Sequence, residues 1–303
     1  MPCFPSVKRG AYFCRGNLYW VVYDSGLAGT PPPAASQRGN KLQIFSTDIV
    51  VSVGPNGVAV VTLNRPTKRN AVSLAMWREL ERIFTDLAGR DVRAVILAGS
   101  GGNFCAGADI SEFSTVRADA EAGRIYEAVA EAATIAIRDF PRPTIAAISG
   151  YGVGGGCGLA LSCDFRVADA SARMGIPAAR LGIIYSVLDC QLLYRQVGLA
   201  NAKRILFSGR HFNLSDCMDI GLVDIRAEGD ALQAAHALAE ELIEGAPLSQ
   251  EGAKFILEAI DGGEAAAREA EILGLIDRAM NSADYREGGQ AFLEKRRPVF
   301  VGR

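Results

Sequence analysis

Six glycines fall within the nine positions from Gly150 to Gly158, in the run SGYGVGGGCGLALSCD, and no other segment restricts the fold as tightly. The run follows TIAAIS and leads into an apolar stretch, so it reads as a buried strand, a turn free of side chains and a helix start. Glycine adopts backbone conformations closed to other residues and lets another group approach the main chain closely. Gly150, Gly152 and Gly155 also satisfy G-x-G-x-x-G, with Asp169 roughly 20 residues past the first glycine, as in a dinucleotide-binding turn. Context argues against that use. The helix after Gly156 has room only to about Cys163 before the next strand-like run, whereas a dinucleotide-binding half needs helices of ordinary length on both sides of its sheet. Neither a G-x-x-x-x-G-K-[ST] loop nor a G-x-S-x-G nucleophile elbow occurs.

A second small-residue loop lies upstream. RAVILAG predicts a buried strand that ends in GSGGNFCAGAD, Gly99 to Asp109. Both loops thus follow a strand, and the second opens a helix whose free N–H groups and positive dipole end favour a developing anion. Two N–H donors from different loops converging on one carbonyl oxygen make an oxyanion hole; taken singly, each loop is also readable as a tight turn.

The remaining pattern is α/β. DIVVSV and VAVVTL, joined by Gly-Pro-Asn-Gly, predict a hairpin, and Ser73 predicts the cap of a helix running to about Leu87. A long helix is expected from about Asp119 to Arg138, then short strands at FRVAD and ARMGI. From about Val187 the chain reads as helical, apart from a strand near Leu222 to Ile225. Residues 1–46 lack helical periodicity, carry Pro-Pro-Pro and show no secretory h-region, and read as a poorly structured extension. Apolar residues make up 49% of the chain, charged residues 22%, and the net charge is −2. That balance suggests neither a nucleic-acid partner nor a membrane span of about 18 apolar residues. Seven cysteines without C-x-x-C spacing read as reduced thiols of a cytoplasmic protein, and His211 and His236 are too few for a histidine-rich metal site.

Several ordered motifs carry a family resemblance. NRPTKRNA (Asn64 to Ala71), FCAGADI (Phe104 to Ile110), RPTIAAISGYGVGGGC (Arg142 to Cys157), the Cys163-Asp164 pair, FSGR (Phe207 to Arg210) and YREGGQAFLEKRRP (Tyr285 to Pro298) resemble the enoyl-CoA hydratase/isomerase (crotonase) family from about Asp48 to the end. The resemblance implies a crotonase-like spiral of strand-strand-helix repeats over 47–228, bearing the acyl-CoA site, and a helical trimerisation region over 229–303. It implies an acyl-CoA thioester as ligand, with coenzyme A arriving as part of the substrate and no resident cofactor or metal, and a homotrimer or dimer of trimers working in fatty-acid metabolism. By position, the N–H groups of Ala106 and Gly155 hold the thioester oxygen. Lys68, Arg69 and Ala71, with Ala106, Gly107, Ala108, Asp109 and Ile110, border the adenine and pantetheine. Lys295 and its neighbours Arg296 and Arg297 are expected to meet CoA phosphates or to form a solvated helix end.

The chain departs from the family's hydratases at both catalytic glutamates. The first slot, directly after G-G-G-C, is Gly158; the second, after the proline of MGIPAARLG, is Ala178; a third position used by some relatives is Ser186. General acid–base groups contribute roughly 10²–10⁴-fold each, so ordinary hydration is expected to be slow unless another group substitutes. The expected activity is that of a lyase with a thioester enolate. Tyr185, in LGIIYS, resembles the Tyr that some decarboxylating relatives carry as L-G-x-x-Y, which implies decarboxylation of a malonyl-type acyl-CoA; it is equally readable as a pocket-lining residue without a chemical role. Asp189, one turn past Ser186, is open to two readings, a replacement carboxylate or a first-turn charge; Ser186 itself reads as a helix cap or a substrate contact, and Cys157 as packing. A non-catalytic acyl-CoA-binding protein is the alternative from a different class.

Overall fold

A computed structural model of the chain describes residues 9–14, 17–22 and 46–303. Residues 1–39 and 40–303 form two separate units. In the first, β1 (Arg9–Cys14) and β2 (Asn17–Val22) pair antiparallel with Arg9 opposite Val22. This hairpin departs from the expectation of a poorly structured segment. Its signal is aromatic and β-branched composition (Tyr12, Phe13, Tyr19, Trp20, Val21, Val22) around a two-residue connection, which Pro-Pro-Pro further along does not cancel. The rest of the stretch up to 45 lies outside the described residues.

The second unit begins with the expected hairpin, β3 (Ile49–Val53) and β4 (Val58–Leu63), turned at Gly57 with φ 81°. Helix α1 (Leu74–Ala88) starts where the Ser73 hydroxyl accepts the Met76 N–H. Strand β5 (Ala94–Gly99) leads through the first loop to the short α2 (Phe113–Val116) and then α3 (Ala120–Arg138), capped by Asp119. Strands β6 (Thr144–Ile148) and β7 (Tyr151–Val153) precede α4 (Gly155–Ser162). Next come β8 (Phe165–Ala168), β9 (Arg173–Gly175), α5 (Ala178–Leu181) and α6 (Val187–Ser208), the last broken at Gly198. The chain ends with β10 (Phe212–Asn213), α7 (Leu214–Asp219), β11 (Ile225–Arg226), α8 (Ala231–Leu242), α9 (Pro247–Asp261), α10 (Glu269–Met280) and α11 (Ala283–Glu294).

Six strands form one sheet in the order β11-β8-β6-β5-β4-β3, parallel except for the β3–β4 hairpin. Alternation along β5 sorts the side chains. Val95 and Leu97 join the core made with α1 and α3, while Ala94, Ile96 and Ala98 pack toward the alanines Ala231, Ala235 and Ala239 of α8. Both faces are therefore covered, which explains why AVILAG and TIAAI read as unbroken apolar runs. A second layer lies after each main strand. It is built from the Val72–Ala108 and Cys105–Gly152 bridges and the parallel β7–β9 pair, with β10 antiparallel on β9. Repetition of main strand, second-layer strand and helix gives the expected spiral.

Two local expectations shift. The strand near Leu222 to Ile225 is confined to Ile225–Arg226, because Leu222 and Val223 turn into the core. Strands β7 and β10, too short to announce themselves in sequence, were not expected. Among the described residues no helix is long and apolar enough to cross a membrane.

Candidate active site

The loops leaving the carboxyl ends of β4, β5 and β6 meet on one side of the sheet, the usual ligand side of a parallel sheet. The first loop is fixed by a buried amide. Asn70, in the left-handed region at φ 57°, donates to the carbonyls of Ser100 and Asn103 and accepts the Arg65 N–H. Beside it the Asp109 carboxylate takes hydrogen bonds from Lys68 Nζ at 2.8 Å, Arg65 at 2.9 Å and the Ser111 hydroxyl at 2.5 Å. Burial alone would raise this carboxyl, but those donors hold it well below the usual range. Arg69 is also left-handed, with its guanidinium 5.0 Å from the Tyr151 ring centre, and the Ala71 carbonyl accepts from Arg65. Lys68, Arg69, Ala71 and Asp109 thus cluster at one end of the loop pair. Lys295 is elsewhere, left-handed at the exposed end of α11, and no contact ties it to this cluster.

The two loops approach each other at Gly107 and Gly155. A Cβ on Gly107 would lie 3.4 Å from the Gly155 nitrogen, and one on Gly155 would lie 3.5 Å from the Ala108 nitrogen. Any side chain at either point would enter the space between the loops. The donor pair differs from the sequence expectation in one member. The Ala106 N–H is donated to the Arg69 carbonyl at 2.9 Å, and the Gly107 N–H faces the Cys105 sulfur at 3.4 Å. Gly107, at φ 98°, then turns the chain over. The Ala108 N–H has no acceptor among the described residues, and neither does that of Gly155, the first residue of α4. The open donor pair is therefore Ala108 and Gly155, not Ala106 and Gly155.

A cleft that opens to solvent runs past these donors. Ala106, Gly107, Ala108, Ile110 and Gly155 line it, as do Gly158, Ala178, Tyr185 and Asp189. So the two vacated glutamate slots, both loops and the candidate side chains share one wall. A Cβ on Gly158 would lie 3.5 Å from Asp189 Oδ1 and meet nothing else within 4 Å, so the Asp189 carboxylate adjoins the space a longer residue 158 would enter. Ser186 does two jobs: its hydroxyl accepts the Asp189 N–H at 3.1 Å, capping α6, and donates to Asp189 Oδ2 at 3.0 Å. Asp189 Oδ1 has no hydrogen-bond partner among the described residues. Burial, together with nearby Glu127 and Glu131, raises the Asp189 carboxyl to about 6 despite the Ser186 hydrogen bonds.

The Tyr185 hydroxyl lies 3.5 Å from where a Cβ on Gly154 would sit, beside the glycine turn. Burial, then Cys157 and Asp189, raise its pKa and keep it a neutral donor. Cys157 is fully buried and its thiol is pushed up to about 12, which overrides the helix-start effect and leaves a packing residue. His211 stacks edge-on against Tyr151 rather than entering the cleft. Asp169 accepts from Ser149 and Ser171, holding the strand end instead of a ribose.

Sequence reasoning missed one wall. Tyr126, Glu127, Ala130, Glu131 and Thr134 present one face of α3 to the cleft. Glu127 pairs with Arg117, whose guanidinium also lies over the Phe113 and Tyr126 rings. Glu131 has no hydrogen bond or ion pair among the described residues, and burial followed by the charge of Glu127 raises its carboxyl. The i, i+4, i+8 spacing of Tyr126, Ala130 and Thr134 was the available signal.

Residues 54–303 match the family model described as enoyl-CoA hydratase/isomerase. The mitochondrial enoyl-CoA hydratase domain-containing protein 2 of Bos taurus is 38% identical over 294 residues, covering 93% of this chain and 95% of that protein. The short-chain-enoyl-CoA hydratase of Clostridium acetobutylicum is 33% identical over 249 residues, 79% of this chain and 92% of that protein. Among solved structures, an enoyl-CoA hydratase/isomerase family protein from Hyphomonas neptunium superposes with TM-score 0.81 at 34% identity, covering 86% of this chain and all of that one. The enoyl-CoA hydratase of Bacillus anthracis gives 0.76 at 31% identity, with 84% and 100% covered. With the glycine loops, the spiral and the match over 54–303 in agreement, the chain belongs to the enoyl-CoA hydratase/isomerase family.

Proposed function

We propose that this protein is an acyl-CoA hydro-lyase, adding water to a 2-enoyl thioester, in which Asp189 takes over proton transfer from the glutamates replaced by Gly158 and Ala178. One observation carries the reading: Asp189 Oδ1 has no hydrogen-bond partner among the described residues and adjoins the empty Cβ position of Gly158. The thioester oxygen accepts from the Ala108 and Gly155 N–H groups, which stabilise the charge that develops there. As the water oxygen bonds to C3, Asp189 takes its proton and the C2–C3 π pair moves onto the thioester oxygen. Collapse of the enolate then returns a proton to C2. Coenzyme A enters only as part of the substrate, and the exposed apolar side chains of α10 and α11, among them Leu273, Ile276 and Leu293, support assembly as a homotrimer.

Decarboxylation through Tyr185 is the second reading, favoured by the nearness of that hydroxyl to the glycine turn. Against it, a malonyl-type carboxylate would enter a cleft that already holds Asp189 and Glu131, while Arg117 is engaged by Glu127. The test is turnover of crotonyl-CoA and of methylmalonyl-CoA by the wild type and by Asp189→Asn. Hydration of crotonyl-CoA that falls roughly 10²–10⁴-fold in Asp189→Asn supports the proposal. CO₂ release from methylmalonyl-CoA without hydration overturns it in favour of Tyr185. Thioester binding with no turnover of either overturns it in favour of a non-catalytic binder.

A further inference from the structure

The open carboxylate of Glu131 has no structural task. It lies on the cleft face of α3, half-buried, with no hydrogen bond or ion pair among the described residues. Its neighbour one turn earlier, Glu127, is committed to Arg117. A carboxylate taken partly out of water without a partner costs free energy, and an unpaired carboxyl held in a cleft marks a functional-site candidate. Asp189 on α6 lines the same cleft, near enough for the Glu131 charge to raise its carboxyl, and so do Ala108 and Gly155, whose N–H groups have no acceptor among the described residues. Two carboxylates, one on α3 and one on α6, therefore line the cleft that takes the thioester.

We propose that Glu131 is the second proton-transfer residue, delivering the proton to C2 while Asp189 takes one from water. The inference rests on the hydro-lyase reading. The balance is complete. Water gives its oxygen and an electron pair to C3 and one proton to Asp189; the π pair passes through the enolate to C2; Glu131 gives its proton to C2. The proton on Asp189 then passes to Glu131 through the water that refills the site, and both groups return to their starting states. No oxidant, metal or further reactant is needed. Glu131 and Asp189 line the same cleft as Gly158 and Ala178, the two vacated glutamate slots.

The charged and titratable groups around Glu131 are Glu127 and Arg138 on its own helix, Arg117 from the turn before α3, Tyr126 beside them, and Asp189 and Tyr185 lining the same cleft. Glu127 favours the protonated state that an acid requires, and Arg138 opposes it.

The experiment is the pH profile of crotonyl-CoA hydration for the wild type, Glu131→Gln and Glu131→Asp, with dissociation constants for butyryl-CoA as a check on the binding site. Glu131→Gln is expected to lose roughly 10²–10⁴-fold in kcat, to lose one limb of the pH profile and to bind butyryl-CoA as the wild type does. Glu131→Asp is expected to recover part of kcat together with that limb. A Glu131→Gln enzyme with wild-type kcat and an unchanged profile overturns the inference. So does a loss of activity that tracks lost butyryl-CoA binding and is equal in Glu131→Asp. Absence of hydration by the wild type is a separate outcome, which overturns the hydro-lyase reading and this inference with it.

Discussion

Asp109 and Asp189 are separated by eighty residues of chain, one beside the first glycine loop and one lining the cleft, each at the start of a helix. Asp109 opens the turn at Ile110–Glu112 and is saturated by Lys68, Arg65 and Ser111. Asp189 lies in the first turn of α6, its carboxylate bonded among the described residues only to Ser186, with two glutamates nearby. The same functional group is lowered in one place and raised in the other. What differs is the company of cations and donors, since burial pushes both upward. The lowered carboxylate braces a loop; the raised one is poised to exchange a proton near neutral pH, the condition for general acid–base work.

Breaking the Asp109 end has the largest expected effect on stability. Asp109→Asn takes the buried anion away from Arg65, whose side chain is 16% exposed and keeps the Ala71 carbonyl and Asp48, and from Lys68, which is 47% exposed and largely satisfied by water. The expected loss is about 2 kcal/mol at pH 7, below the ~3–5 kcal/mol of a fully buried pair. Because Asp109 is held down in the folded chain, its contribution is present above the unfolded value of about 4 and is lost as pH falls below it. Urea midpoints at pH 7 and pH 3 measure the difference, and an equal loss at both would break the contrast.

Asp189→Asn sharpens the comparison with the opposite sign and a smaller size. A carboxyl raised to about 6 destabilises the folded chain wherever it must ionise. Each pH unit between the folded and unfolded titrations represents ~1.4 kcal/mol, part of which is offset in the variant by a weaker bond to Ser186. The asparagine variant is therefore expected to be more stable by about 1–2 kcal/mol at pH 8. The gain appears as pH rises from about 4 to 6 and vanishes below. Thermal melts of both proteins at pH 4.5 and pH 8 check it; destabilisation at pH 8 would show that Asp189 is a structural group like Asp109.

Local signals were sufficient where structure is local. Ser73, Asp119 and Ser186 cap helices as their sequence neighbourhoods predict, and the Gly-Pro-Asn-Gly hairpin has the expected partners. Both glycine loops were legible because close approach leaves a compositional trace. The choice between Ala106 and Ala108 was not, since it depends on the φ of Gly107 and on the Arg69 carbonyl capturing one N–H. Glu127 and Glu131 were illegible for another reason. On α3 they look like ordinary solvated helix charges, and only the packing of α3 toward α1 and α4 brings them to the cleft.

The central claim is that a carboxylate on α6 has replaced one at position 158, and moving it back tests that most directly. Gly158 has ordinary helical conformation and room for a side chain once Asp189 is removed. Crotonyl-CoA hydration should fall at least about 100-fold in Asp189→Gly and recover at least about tenfold when Gly158→Glu is added to that variant. Hydration by Asp189→Gly at the wild-type rate would contradict the account.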